Sequence, residues 1–402
     1  MADGLLNKAS IILTPTGYKA GTLYNVAPID EPYEDFDFSR TSTATRINSS
    51  GLVSNVATGV PRISYDSNGE NGHILLEPTS TNLVPYSEDF TQGWAVSDAT
   101  ITPNSITSPS GQDNASTLTT SASGGTVQET LTISDGDLTF SLFVRKGTTN
   151  GVRLRIDAAT DVNGYFNIND GTIFSQTDDA KIEVINADWY RVSISASVTS
   201  FVKASIYTTD GTTSYDNGTV YIWGGQLEAL PYATSYIPTL TGSTVTRATE
   251  TLTGSGNSTL INSTEGVLYA EIAALSYPTN INNWLTITDG TASNSVGIEF
   301  ETSANILGRV EVGGVIQAHL TNNVDYSNFV KVAVKYKAND FALWINGVEV
   351  ATDTSGNTFS ANTLNSLQFS YGGGTNNWKG KVKALAVFDE ALSDDELNNL
   401  TG

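Results

Sequence analysis

The chain has 402 residues, no cysteine, two histidines, and 42 acidic against 20 basic side chains, for a net charge of −22. The lack of cysteine excludes disulfides, thiolate metal sites and thiol nucleophiles, and so acidic a surface repels nucleic-acid backbones and anionic membranes. No apolar run reaches membrane-span length, and no signal peptide is recognisable, so the chain is expected to be made in a cytoplasm without membrane insertion.

In chain order, residues 1–84 carry Pro15, Pro28, Pro32, Pro61 and Pro78 and a few short apolar pieces, notably Ile11-Ile12-Leu13 and Ile74-Leu75-Leu76. No periodicity is sustained, so this segment is too sparse to bury a core alone. It is expected to order against a neighbouring subunit, a particle surface or the next domain, or to wrap around the first sandwich.

Residues 85–240 read as a first β domain. Asp135-Gly136, Asn150-Gly151, Asp170-Gly171, Asp210-Gly211 and Asn217-Gly218 supply the positive φ of tight hairpins. Between them lie alternating runs: Leu138–Val144, Val152–Ile156 with apolar residues on one face and arginines on the other, and Tyr190–Ala196. Strands at this spacing make a sandwich or barrel. Pro231–Thr239 follows, made stiff by two prolines and aromatic anchors.

Residues 241–402 read as a second β domain. Val267–Ile272 alternates, Lys331–Lys337 has a solvated lysine face, and Phe341–Val350 is a hairpin around Asn346-Gly347. Ser393 and Glu396 have capping-box spacing, which predicts a short helix starting at Ser393. The residues therefore read as all-β, two sandwiches or barrels preceded by an irregular N-terminal segment. Thr43-Ala44-Thr45-Arg46 and Thr244-Val245-Thr246-Arg247 are similar, each near a domain entrance.

Three stretches carry resemblances to known families. Asp37–Arg46 together with His73–Phe90 resembles the opening of structural proteins from tailed bacteriophages, especially marine ones. The pairing of Asn82–Trp94 with Val220–Glu228 resembles carbohydrate-binding-module jelly rolls. Lys379–Leu397, containing Phe388-Asp389-Glu390-Ala391-Leu392-Ser393, is similar to the end of laminin-G-like and concanavalin A-like lectin sandwiches. Together these imply two tandem antiparallel jelly-roll β-sandwiches in a virion protein, a tail fibre or head decoration, attached to other virion proteins through residues 1–84. They further imply adhesion to host-surface glycans and a homotrimeric assembly. A polysaccharide-degrading tail enzyme and a purely structural cement protein without ligand are the alternatives.

Sugar recognition places flat aromatic faces beside polar side chains that read hydroxyls. Trp284 follows Asn280-Ile281-Asn282-Asn283, and Trp378 follows Gly372–Asn377. Trp284, Trp378, Tyr371 and Asn377 are the candidate glycan contacts, whereas Trp94, Trp223 and Trp344 are assigned to packing. The jelly-roll resemblance also implies a structural Ca²⁺ where first and last strands meet. Glu88, Asp89 and Glu228 stand in similar positions, although Gly225-Gln226 replaces a paired acidic group. No cofactor is required by anything in the sequence. His73 and His319 are isolated, Gly372-Gly373-Gly374 lacks the Lys and helix of a phosphate loop, and neither sandwich carries a catalytic signature. The chain is read as non-enzymatic.

Overall fold

The computed structural model describes residues 5–27, 35–122, 124–278 and 282–402; Pro28, Pro32, Asn280 and Ile281 lie outside these. The alternating runs become antiparallel sheets, as period-2 patterning requires when one face is buried. In the first sandwich one six-stranded sheet runs Ala95–Ser97, Thr126–Glu129, Lys203–Thr209, Gly151–Asp157, Val162–Asn167, Thr172–Gln176. The other runs Ala99–Ile106, Ala115–Thr120, Gly218–Glu228, Gly136–Lys146, Tyr190–Val198, Asp179–Val184. Val152, Leu154 and Ile156 of the first sheet meet Phe140, Leu142, Val192 and Ile194 of the second in one core. Each such side chain contributes about 1.5–3 kcal/mol on burial.

The second sandwich packs an eight-stranded sheet on a five-stranded one. The five-stranded sheet runs Val315–Asn323, Asn305–Val312, Ser295–Phe300, Asn283–Thr288, Ser366–Gln368. Asn346 and Gly347 turn the predicted hairpin with φ of 48° and 80°, the left-handed pair of a two-residue loop. The chain ends in the helix Asp394–Thr401, where Ser393 N–H donates to Glu396 Oε2 at 2.9 Å. Leu397 and Leu400 pack on Val267, Tyr269 and Trp344. This corrects one expectation: the lysine face is not wholly solvated, because Lys335 is buried there and paired with Asp340 at 2.7 Å.

The described part of residues 1–84 is more regular than its sequence suggests. Ala9–Leu13 pairs antiparallel with Gly380–Phe388, Ile11 opposite Val387 and Leu13 opposite Leu385. His73–Leu76 pairs with the other end of the same strand, Ile74 opposite Val382. The two apolar pieces too short for a core of their own therefore complete the eight-stranded sheet of the C-terminal sandwich. The segment orders against its own chain, and mainly against the distant sandwich. The physical reason is that Ala384–Phe388 is apolar on both faces and Gly380–Phe388 would otherwise be left with an open edge.

A buried ionic junction joins these parts. Arg62 reaches Glu77 at 2.8 Å and is paired with Glu250; Arg40 pairs with Glu250 at 2.7 Å; Arg247 pairs with Glu77 at 2.9 Å. Ser235 N–H and Oγ donate to Glu77 at 2.7 and 2.6 Å. Burial alone would push Glu77 upward, but Arg247 and Arg62 hold its carboxyl far below the carboxylate range. The stretches singled out in the sequence, Asp37–Arg46, His73–Phe90, Pro231–Thr239 and Thr244–Arg247, all meet here. The similarity of Thr43–Arg46 to Thr244–Arg247 does not mean equivalent roles. Arg247 enters the ion network, whereas Arg46 donates to the Ile63 carbonyl at 3.2 Å and to the Tyr18 hydroxyl at 3.3 Å.

Candidate functional site

The strand Asn283–Thr288 sends Leu285 and Ile287 into the core, so Trp284, Thr286 and Thr288 stand on the opposite face of the five-stranded sheet. Trp284 lies opposite Glu299 and over Gly297, where a Cβ would sit 2.8 Å from the indole ring. The glycine makes room for the ring to lie down on the sheet. Tyr371 covers it from above, with ring centroids 4.6 Å apart and planes at 36°. The Arg309 guanidinium lies 5.9 Å from the Trp284 ring and 5.4 Å from the Tyr371 ring, within cation–π range. Arg309 is paired with Glu311, and the Tyr371 hydroxyl donates to Glu311 Oε2 at 3.1 Å. Asn377 bridges to the Trp284 backbone.

The structure thus brings Trp284, Tyr371 and Asn377 together, but it changes their parts. Trp284 is only 3% exposed and forms the floor. Tyr371 and Asn377 are half-buried and form the surface a ligand would touch. Trp378 is corrected as a ligand contact. It is 1% exposed, inside the core against Phe300 at 4.9 Å, and has no face toward solvent. Arg309, Glu311 and Glu299 were not singled out from the sequence. The available signal was the alternation of Asn305–Val312, which buries Ile306 and Val310 in the core and leaves Arg309 and Glu311 on the other face. Burial, with Glu301 adding like charge, pushes the Glu299 carboxyl up to about 7.

The calcium ligands do not converge. Glu228 is fully buried and its oxygens already accept from Ser80 Oγ (2.6 Å), Gln226 Nε2 (2.8 Å), Thr234 N–H (3.0 Å) and the Thr234 hydroxyl. Glu88 accepts from Asn114 Nδ2 at 2.6 Å and Tyr236 O–H at 3.0 Å, and Asp89 caps the Thr91 turn. Among the described residues no three His, Asp or Glu side chains gather as a metal site. A Ca²⁺ ion, which wants six to eight oxygens, is not fitted by this set. The first and last strands do meet as expected, with Leu83 N–H donating to the Leu227 carbonyl at 2.8 Å. Hydroxyls and amides fill the place of an ion. Trp94, Trp223 and Trp344 are buried, in keeping with their assignment to packing. Among the described residues no helix is long and apolar enough to cross a membrane.

The fold is that of an all-β protein of antiparallel sandwiches, and its C-terminal part is similar to concanavalin A-like and laminin-G-like sandwiches. Residues 271–398 match the family model described as the concanavalin A-like lectin/glucanases superfamily. No curated protein matches the chain. Among solved structures, the chain is similar to the CBM40 of Ruminococcus gnavus IT-sialidase bound to α2,3-sialyllactose. That match has 20% identity, covers 37% of this chain and 94% of that one, and has a TM-score of 0.32. It is also similar to the leech intramolecular trans-sialidase (21% identity, 37% and 26% covered, TM-score 0.31). A third is the heptameric SAP-like pentraxin of Limulus polyphemus (12% identity, 35% and 71% covered, TM-score 0.29).

Proposed function

We propose that this chain is a non-enzymatic glycan-binding structural protein displayed on a tailed-phage particle. The observation that carries the binding reading is the Tyr371–Arg309–Glu311 cluster held over Trp284 on a rigid sheet. An aromatic face, a guanidinium and a carboxylate side by side match the apolar face and the hydroxyls of a pyranose. Shallow sites of this kind bind weakly, and several copies on one particle would convert later contacts into intramolecular ones. The particle placement and the homotrimer rest on the resemblance of Asp37–Phe90 to phage structural proteins. Much of that stretch is engaged inside the chain, so contact with other virion proteins falls to outward surfaces.

Binding is tested with the full chain on immobilised host-surface polysaccharide. Tyr371→Ala and Arg309→Ala should each weaken retention at least about tenfold, the scale of one lost charged or stacking contact. Unchanged retention by both variants would overturn the reading. Mass spectrometry of purified particles tests the placement, and light scattering tests the trimer. A polysaccharide hydrolase is a second reading, favoured by Glu299, whose raised carboxyl suits a general acid. Release of new reducing ends, lost in Glu299→Gln, would establish it.

A further inference from the structure

The outer face of the first sandwich carries a second, chemically distinct arrangement. The strand Gly151–Asp157 puts Val152, Leu154 and Ile156 into the core, so Arg153 and Arg155 face outward. Tyr165 and Tyr207 flank Arg153 as direct cross-strand neighbours. Their rings each lie 5.1 Å from its guanidinium, and the Tyr215 ring lies at 5.8 Å. Asn163 Oδ1 accepts from Nε (3.1 Å) and Nη2 (2.6 Å) of Arg153, and the Tyr215 hydroxyl accepts from Nη1.

The charge balance at this guanidinium is incomplete. Arg155 is neutralised by Asp157 at 2.7 Å and Asp161 at 2.5 Å. Arg153 has no such partner: among the described residues its contacts are neutral oxygens and ring faces. A guanidinium has five N–H donors, and three are used, which leaves one on each terminal nitrogen. That is the pair a carboxylate takes with two parallel hydrogen bonds. Arg153 is 7% exposed, so this cation is held largely out of water without a counter-charge, an arrangement that favours an anionic guest. Lys203 on the same face donates to Gln128 at 2.6 Å and adds positive charge. Arg153, Arg155 and Lys203 thus stand together on this face, with Asp157 and Asp161 taken up by Arg155, in a chain whose net charge is −22. Tyr215, 38% exposed on the loop after Thr209, and half-buried Tyr165 form the open rim.

We propose that this face binds a carboxylated sugar. The carboxylate would close onto the terminal nitrogens of Arg153, and the tyrosines would line the pyranose ring. This inference does not rest on the Trp284 platform, which lies in the other sandwich.

The test uses the full chain and saturation-transfer NMR with tri-galacturonate, the neutral galactose trimer and a sulfated galactose trimer. Tri-galacturonate should bind, and the neutral trimer should bind at least about tenfold more weakly. Arg153→Lys keeps the charge but loses the planar fork, and should weaken tri-galacturonate at least about tenfold. Tyr215→Ala, on the exposed rim, should weaken it several-fold with the thermal midpoint of unfolding nearly unchanged, which covers the case that Arg153→Lys does not fold. Loss of tri-galacturonate binding in variants confined to the first sandwich separates this site from the platform. Absence of tri-galacturonate binding, equal binding of the neutral trimer, preference for the sulfated trimer, or full retention by Tyr215→Ala and a folded Arg153→Lys would each overturn the proposal.

Discussion

Arg62 and Glu250 are 188 positions apart and grip each other through two parallel hydrogen bonds. Nε of Arg62 donates to Oε1 at 2.7 Å, and Nη2 donates to Oε2. Both side chains are fully buried. The pair joins the proline-rich start of the chain to the entrance of its last domain. Arg40 shares Glu250 and Arg247 shares Glu77, so neither carboxylate is left with a single cation.

Removing one member should therefore cost far more than a surface pair would. Glu250→Ala leaves Arg40 buried without a carboxylate and Arg62 with Glu77 alone, and we expect a loss of about 3–5 kcal/mol. Denaturant unfolding of the full chain reads this directly. A loss below about 1 kcal/mol, the range of surface pairs, would show that water enters the junction.

The pairing of Ala9–Leu13 and His73–Leu76 with Gly380–Phe388 predicts the result of truncation. A chain starting at Leu83 lacks both strands and bares that strand's apolar edge. It should aggregate, and hydrogen exchange should accelerate in Gly380–Phe388 while Gly136–Lys146 of the first sandwich stays protected. Equal protection of both strands in the truncated chain would contradict the pairing.

Gly297 under Trp284 leaves no room for a methyl group, since a Cβ would lie 2.8 Å from the ring. Gly297→Ala should destabilise the chain by about 1–3 kcal/mol, the usual scale of overpacking. It should also weaken glycan retention by tilting the Trp284 floor beneath Tyr371. Thermal midpoints and the retention assay check the two effects separately.

Two buried groups give opposite pH dependences. Folding raises the Glu299 carboxyl from 4.5 to about 7, chiefly through burial. Between those values the folded chain holds the proton more tightly, so stability falls as pH rises through this window. Glu299→Gln should flatten the fall and raise the midpoint at pH about 8. His73 is driven from 6.5 down to about 4 by burial, with Lys381 adding repulsion. Its contribution is complete above about pH 6.5 and is lost as pH falls toward 4. His73→Phe should flatten that loss, and midpoints measured against pH for the two variants separate the effects.

Much of this molecule is written locally. Alternation in Leu138–Val144 and Val267–Ile272, the Asn346-Gly347 turn and the Ser393–Glu396 capping pair each act over a few residues, so the all-β class, the hairpin and the final helix were legible. Tertiary structure decided the rest. Trp284 and Trp378 both follow polar loops, yet one roofs a sheet and the other fills a core. A period of two distinguishes the faces of a strand but does not say which face another layer will cover. Glu228 looked like a metal ligand until Ser80, Gln226 and Thr234, brought in by folding, filled its oxygens. Ile11–Leu13 and Ile74–Leu76 carry no local sign of their partner, because the strand they complete lies some 300 or more residues onward in the chain. Local chemistry determined the elements of this protein, and long-range register, set by the burial of its cores, determined which side chains remain free to meet a ligand.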